Sequence, residues 1–213
     1  MRRGRRLRTG PLIAVALIAG VALLALGLGL AVTVPRPDAG AIPEGRLQAR
    51  AVPENSASPR AAPRPSTLRP ISLRLPDGTS AHVVPVALTA DGALRPPSDV
   101  RVAGWWIGGA GLDSQVGTMV LAGHVDSLRQ GLGVFSRLRT LNPGQLVSVY
   151  GADGAARRFS VVARRSYAKS AGLPASVFAL DVRPRLVLIT CAGRFDRRTH
   201  SYPDNLVVYA VPA

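Results

Sequence analysis

The chain has 213 residues, a formal charge of +15 and a single cysteine, Cys191. That length allows one ordinary domain with accessories, and one cysteine excludes an intrachain disulfide framework while no Cys/His spacing resembles a structural zinc site. The charge does not single out nucleic acid, because residues 1–70 carry eleven arginines against three acids and residues 71–213 carry sixteen basic against nine acidic residues, so about half the excess lies outside the segment able to form a core.

The head, residues 1–10, places five arginines directly before residues 11–34, a run of 24 without a charge. A helix of that length exceeds the roughly 30 Å hydrocarbon core and spans it with some tilt. Basic residues crowd the N-terminal flank, so the positive-inside rule keeps the head in the cytoplasm and sends the remainder outside. A cleaved signal peptide is the alternative, but its apolar part is usually shorter. Residues 35–70 hold eight prolines and no sustained apolar period. They are expected to form a disordered, extended spacer, since they bury too little surface to offset the entropy of ordering.

From residue 71 onward the signals are those of strands: ISLRL, HVVPV, TMVLA, LVSVY, RFSVV, LVLIT and LVVYAV, each fenced by Gly, Pro, Asp or Ser. LVSVYGADGAARRFSVV reads as a hairpin about a Gly-Ala-Asp-Gly turn. Helical signals are short, at residues 134–141 and 175–180. The pattern predicts an all-β domain over 71–213, a barrel or a sandwich.

Two of these strands end in polar groups, and a polar stretch precedes the last strand. TMVLA runs into Gly123-His124-Val125-Asp126-Ser127, LVLIT ends at Thr190 and runs into Cys191-Ala192-Gly193, and FDRRTHSYPDN occupies 195–205. A thiolate attacks an amide carbonyl, a histidine handles the proton of the leaving amine, and an arginine with a backbone N–H steadies the oxyanion. His124, Cys191 and an arginine from 194–198 could fill those roles. Taken singly, Cys191 reads as a buried small hydrophobe and His124 as structural. His82 and His200 have no claim beyond the surface, and only the joint pattern points to acyl transfer.

TMVLAGHVDS, LVLITCAGRFDRRT and YPDNLVVYAV resemble the histidine, cysteine and closing-strand motifs of the sortase family, most nearly its actinobacterial class E/F group. The resemblance runs from about residue 71 to the end and includes DVRVAGWWIGG and VFSRLRTLNPGQ. It implies an all-β, eight-stranded barrel with short helices behind the transmembrane helix and linker, and a membrane-anchored cysteine transpeptidase. Such an enzyme cleaves an LPXTG-like sorting signal near the C-terminus of a secreted protein through a thioacyl intermediate. It passes the protein to an amine of a peptidoglycan precursor or a pilin. By the resemblance Cys191 is the nucleophile, His124 the general acid/base, and Thr190 shapes the substrate site. The arginine that opens the last strand in many sortases is replaced by Asp204-Asn205 here, so Arg197 is expected to serve, ahead of Arg198 and Arg194. A Thr-Gly-His-Tyr loop is replaced by Thr199-His200-Ser201-Tyr202. No cofactor or metal is expected. The expected location is the cell membrane, single-pass, with the catalytic domain extracellular.

Two other readings compete. In papain-like peptidases the cysteine precedes its histidine, and L,D-transpeptidases carry a Ser-His-Gly-Cys cluster, so neither cell-wall peptidase matches this order. A tethered binding module without activity would hold Cys191 in its core.

Overall fold

The computed structural model describes residues 38–43 and 68–213; the expected anchor at 11–34 and most of the spacer lie outside them. Among the described residues no helix is long and apolar enough to cross a membrane. The strands, in chain order, are β1 (Ala39–Gly40), β2 (Pro70–Arg74), β3 (Ser80–Val86), β4 (Val102–Trp106), β5 (Thr118–Ala122) and β6 (Asp126–Ser127). They continue as β7 (Gly131–Leu132), β8 (Leu146–Gly151), β9 (Ala156–Ala168), β10 (Arg185–Ala192) and β11 (Asp204–Pro212).

Every strand expected from the pattern forms. The predicted hairpin is β8–β9, its turn closed by Gly151 and Ala155. The two predicted helical stretches are short 3₁₀ segments, Val134–Thr140 and Ala175–Phe178. Strand β4 adds to these, and β9 runs on to Ala168 through an Arg-rich stretch that composition alone would assign to a loop.

Eight strands follow the order β9–β11–β10–β5–β4–β3–β2–β8, and β8 pairs back onto β9, closing the barrel. The closed eight-stranded barrel agrees with the expected fold class. Its interior is filled by residues such as Leu73, Met119, Phe159, Leu188 and Val208. A second apolar layer covers the outside of β5, β10, β11 and β9, where Val120, Val187, Ile189 and Val207 are packed under Phe178 and Trp106. The two layers explain two kinds of sequence. Strands β3 and β8, wet on one side, alternate, whereas TMVLA, LVLIT and LVVYA show no alternation because both faces are buried.

Residues 38–43 belong to the expected spacer but lie along the barrel. Strand β1 pairs with Arg164 and Ala163 of β9. The Arg165 guanidinium donates to the carbonyls of Ala39 and Gly40 at 2.7 and 2.5 Å, and the Ser166 N–H to Asp38 at 2.8 Å. Gly40 sits at φ +73, with the Val162 carbonyl oxygen only 1.9 Å from where a Cβ would be, so no other residue fits there.

Candidate active site

The site grows from one pairing, β5 beside β10, parallel and in register from Thr118–Arg185 to Ala122–Ile189. Parallel neighbours bring their C-terminal ends to the same edge, so the residues after Ala122 and Ile189 emerge together. The pair is clamped at both ends. At its start the Arg185 Nε donates to the Thr118 hydroxyl at 2.9 Å, and that hydroxyl donates to the Ala179 carbonyl at 2.7 Å. At its finish the Gly123 N–H donates to the Ile189 carbonyl at 3.0 Å and the Thr190 hydroxyl to the Gly123 carbonyl at 2.8 Å.

Strand alternation then sorts the side chains. Leu186 and Leu188 face the barrel interior, and Thr190 and Ala192 continue that row; Val187 and Ile189 face the outer layer, and Cys191 continues theirs. Cys191 is half-buried and unpaired, at the exposed end of an apolar row. Val120 and Ala122 of β5 also face outward, and His124 prolongs their row. Gly123 between them turns inward against the Phe135 ring, 2.7 Å from where its Cβ would be.

His124 and Cys191 line one cavity of about 400 Å³, with Asp126, Leu128, Phe195, His200 and Tyr202 among its other walls. The loop between β10 and β11 forms the far side. It leaves β10 through Gly193, at φ +90, folds back by paired hydrogen bonds between Asp196 and Ser201, and is fastened by Tyr202, whose hydroxyl donates to the Asp126 carboxylate. Burial, followed by that hydrogen bond, pushes the Tyr202 phenol above its ordinary range and keeps it a donor. Phe195 packs against the same ring at 5.2 Å, tilted by 60°, and the Arg139 guanidinium lies 5.7 Å above it. His200 holds φ +49, the one left-handed non-glycine among the described residues, where the resemblance led us to expect a glycine in the loop.

The expected residues are placed unequally. His124 and Cys191 share the cavity. Thr190 is 3 % exposed and turned to the interior, so it acts by holding the His124 turn against β10. Arg197 lines the adjoining open depression with Arg194, Phe195 and Asp196, and only Phe195 borders both. The cation at the thiol is Lys169, whose Nζ lies 3.4 Å from Cys191 Sγ. Sequence reasoning missed it: Lys169 is the only lysine among 27 basic residues, but nothing in the sequence ties it to Cys191. His82, on β3, lies outside the cavity. No group of three or more His, Cys, Asp or Glu side chains able to hold a metal occurs among the described residues.

A thiol, an imidazole and an ammonium at one rim of a closed barrel define a site for thiol-dependent acyl transfer. Residues 77–213 match the family model described as the sortase domain. The match covers more than half of the chain, which therefore belongs to the sortase family of cysteine transpeptidases. The fold is similar to that of Group B Streptococcus Pilus Island 1 sortase C2, at 18% identity over 67% of this chain and 72% of that one, with a TM-score of 0.50. It is likewise similar to sortase C-1 from Actinomyces oris, at 17% identity over 67% and 70% of the two chains and a TM-score of 0.51. Sortase A from Corynebacterium diphtheriae matches at 18% identity over 68% and 61%, with a TM-score of 0.50. No curated protein matches the chain.

Proposed function

We propose that this sortase is held in the membrane by residues 11–34, with its N-terminus in the cytoplasm and its barrel outside, and acts on secreted proteins that carry a C-terminal sorting signal similar to LPXTG. The carrying observation is the cavity that unites His124 and Cys191, lined also by the 88 % exposed Leu128, which offers apolar contact to such a signal.

In this reading the Cys191 thiolate attacks the carbonyl carbon of the signal's threonine. The carbonyl electron pair moves onto oxygen, and collapse of that oxyanion breaks the C–N bond. The proton taken from the thiol returns through His124 to the departing amine. The remaining protein is held as a thioester on Cys191 until an acceptor amine attacks and the thiol is restored. The acceptor belongs to a peptidoglycan precursor or to a pilin. The pilus sortases of Group B Streptococcus among the similar folds support the second as much as the basic barrel supports the first. The sequence motifs favour the class E/F group.

The test is turnover of a fluorogenic sorting-signal peptide by the full chain in detergent. Wild type is expected to cleave it, Cys191→Ala to abolish cleavage, and His124→Ala to lower kcat/KM by about two to four orders of magnitude, the usual contribution of a general acid. Unimpaired turnover by Cys191→Ala would overturn the assignment.

A further inference from the structure

We propose that Lys169 is the catalytic cation of this site, the charge set beside the Cys191 sulfur that then donates to the oxyanion formed on the substrate carbonyl. The proposal rests on Cys191 being the nucleophile and names the charge that serves it.

Three observations carry it. Lys169 is the one lysine or arginine that lines the cavity, whereas Arg197 lines the neighbouring depression. Its Nζ makes an N–H···S contact of 3.4 Å with Cys191 and reaches the Ser201 hydroxyl at 3.5 Å. An ammonium has three donors, so among the described partners a third N–H is left for a carbonyl oxygen brought to the sulfur. Finally, the backbone delivers the side chain rather than leaving it to chance. Ala168 closes β9 opposite Asp204 of β11, and the Lys169 N–H donates to the Pro203 carbonyl at 2.8 Å. On the other side of β11, Asn205 pairs with Cys191. Strand β11 therefore bears an uncharged residue beside the cysteine, and the charge reaches over from β9.

The chemistry suits a lysine in this place. An ammonium is a compact charge on a flexible stem, able to follow the negative charge from sulfur to oxygen without the planar fork an arginine must align. Proton bookkeeping is unchanged: Lys169 stays an ammonium throughout, His124 carries the one proton that moves, and no electron leaves the acyl group. The other titratable side chains facing the thiol are His124 and His200, with Asp126 and Tyr202 already joined to each other.

The experiment uses the full chain and two readouts, one needing no substrate. Iodoacetamide alkylation of Cys191 is expected to slow about tenfold in Lys169→Met, with Lys169→Arg near wild type, as loss of one adjacent charge predicts. Turnover of the sorting-signal peptide is expected to fall about 100-fold in Lys169→Met, the size of losing one oxyanion donor, and to recover largely in Lys169→Arg. Lys169 is exposed, so neither variant disturbs the core. Alkylation and turnover both unchanged in Lys169→Met would overturn the proposal. So would a loss confined to Arg197→Ala, or a hydroxylamine-resistant acyl adduct on Lys169, which would make it a neutral acceptor. If wild type cleaves no sorting peptide while alkylation still slows in Lys169→Met, the substrate assignment fails and the role of Lys169 stands.

Discussion

At Cys191 the alternation of a single strand separates a sealed thiol from one that opens on the cavity. One position earlier or later in β10 it would face the barrel interior with Leu188 and Ala192, sealed from any peptide. Gly193, immediately beyond, governs where the loop goes: its φ is +90, and a Cβ would stand 2.6 Å from Pro203. Gly193→Ala therefore combines left-handed strain of about 1–2 kcal/mol with a push on the residue whose carbonyl anchors Lys169. Peptide turnover is expected to drop about tenfold or more, as 1.4 kcal/mol in the barrier implies, with a lowered melting temperature; wild-type kinetics would show that the loop absorbs the change. Cys191 and His124 were legible in the sequence only together, as polar groups just past two apolar strands within one family-like set of motifs; neither stood out alone. Lys169 was not, because its neighbour Cys191 lies two strands away, and no periodicity in β9 announces what stands across β11.

The element that matters most is the parallel β5–β10 pair. Both clamps on it come from threonines, Thr118 at the start and Thr190 at the end, and Thr190 couples the cysteine strand to the histidine turn through one hydroxyl. Thr190→Val keeps the shape but orphans the Gly123 carbonyl, and an unmet buried acceptor costs about 1–3 kcal/mol. The expected result is a lower melting temperature and reduced kcat/KM, both restored by Thr190→Ser; a Val variant as stable and active as wild type would show that the backbone bond from Gly123 to Ile189 suffices. Strand existence was readable at this scale because β-branched runs were fenced by turn residues. Strand partners were not: LVLIT pairs in parallel with a segment some seventy positions earlier, and only closure of the barrel selects that match. The short helical signals became 3₁₀ turns, each covering one buried side chain or two, such as Phe135 and Leu138.

For the whole molecule, the outer apolar layer includes Tyr209, which is 1 % exposed yet bears a hydroxyl 3.0 Å from that of Tyr167. Burial, reinforced by that hydrogen bond, pushes the Tyr209 phenol far above its ordinary range. In the unfolded chain a phenol ionises near pH ~10, so above that point the unfolded state binds fewer protons than the folded one. Stability must then fall with rising pH, by about 1.4 kcal/mol per unit for one such group. Thermal melts taken through this range should show the decline, with a shallower slope in Tyr209→Phe; equal slopes would assign the loss to other groups. The anchor and topology read from residues 1–34 belong to a scale that the barrel does not inform. The spacer is informative at one place, β1, where the Arg165 guanidinium takes hold of residues whose prolines and small side chains gave no hint of order.

Strand β11 has one consequence in time rather than space. It lies between β9 and β10, which are not paired with each other, and so between the lysine and the cysteine. Until β11 has inserted, nothing holds Lys169 across from Cys191.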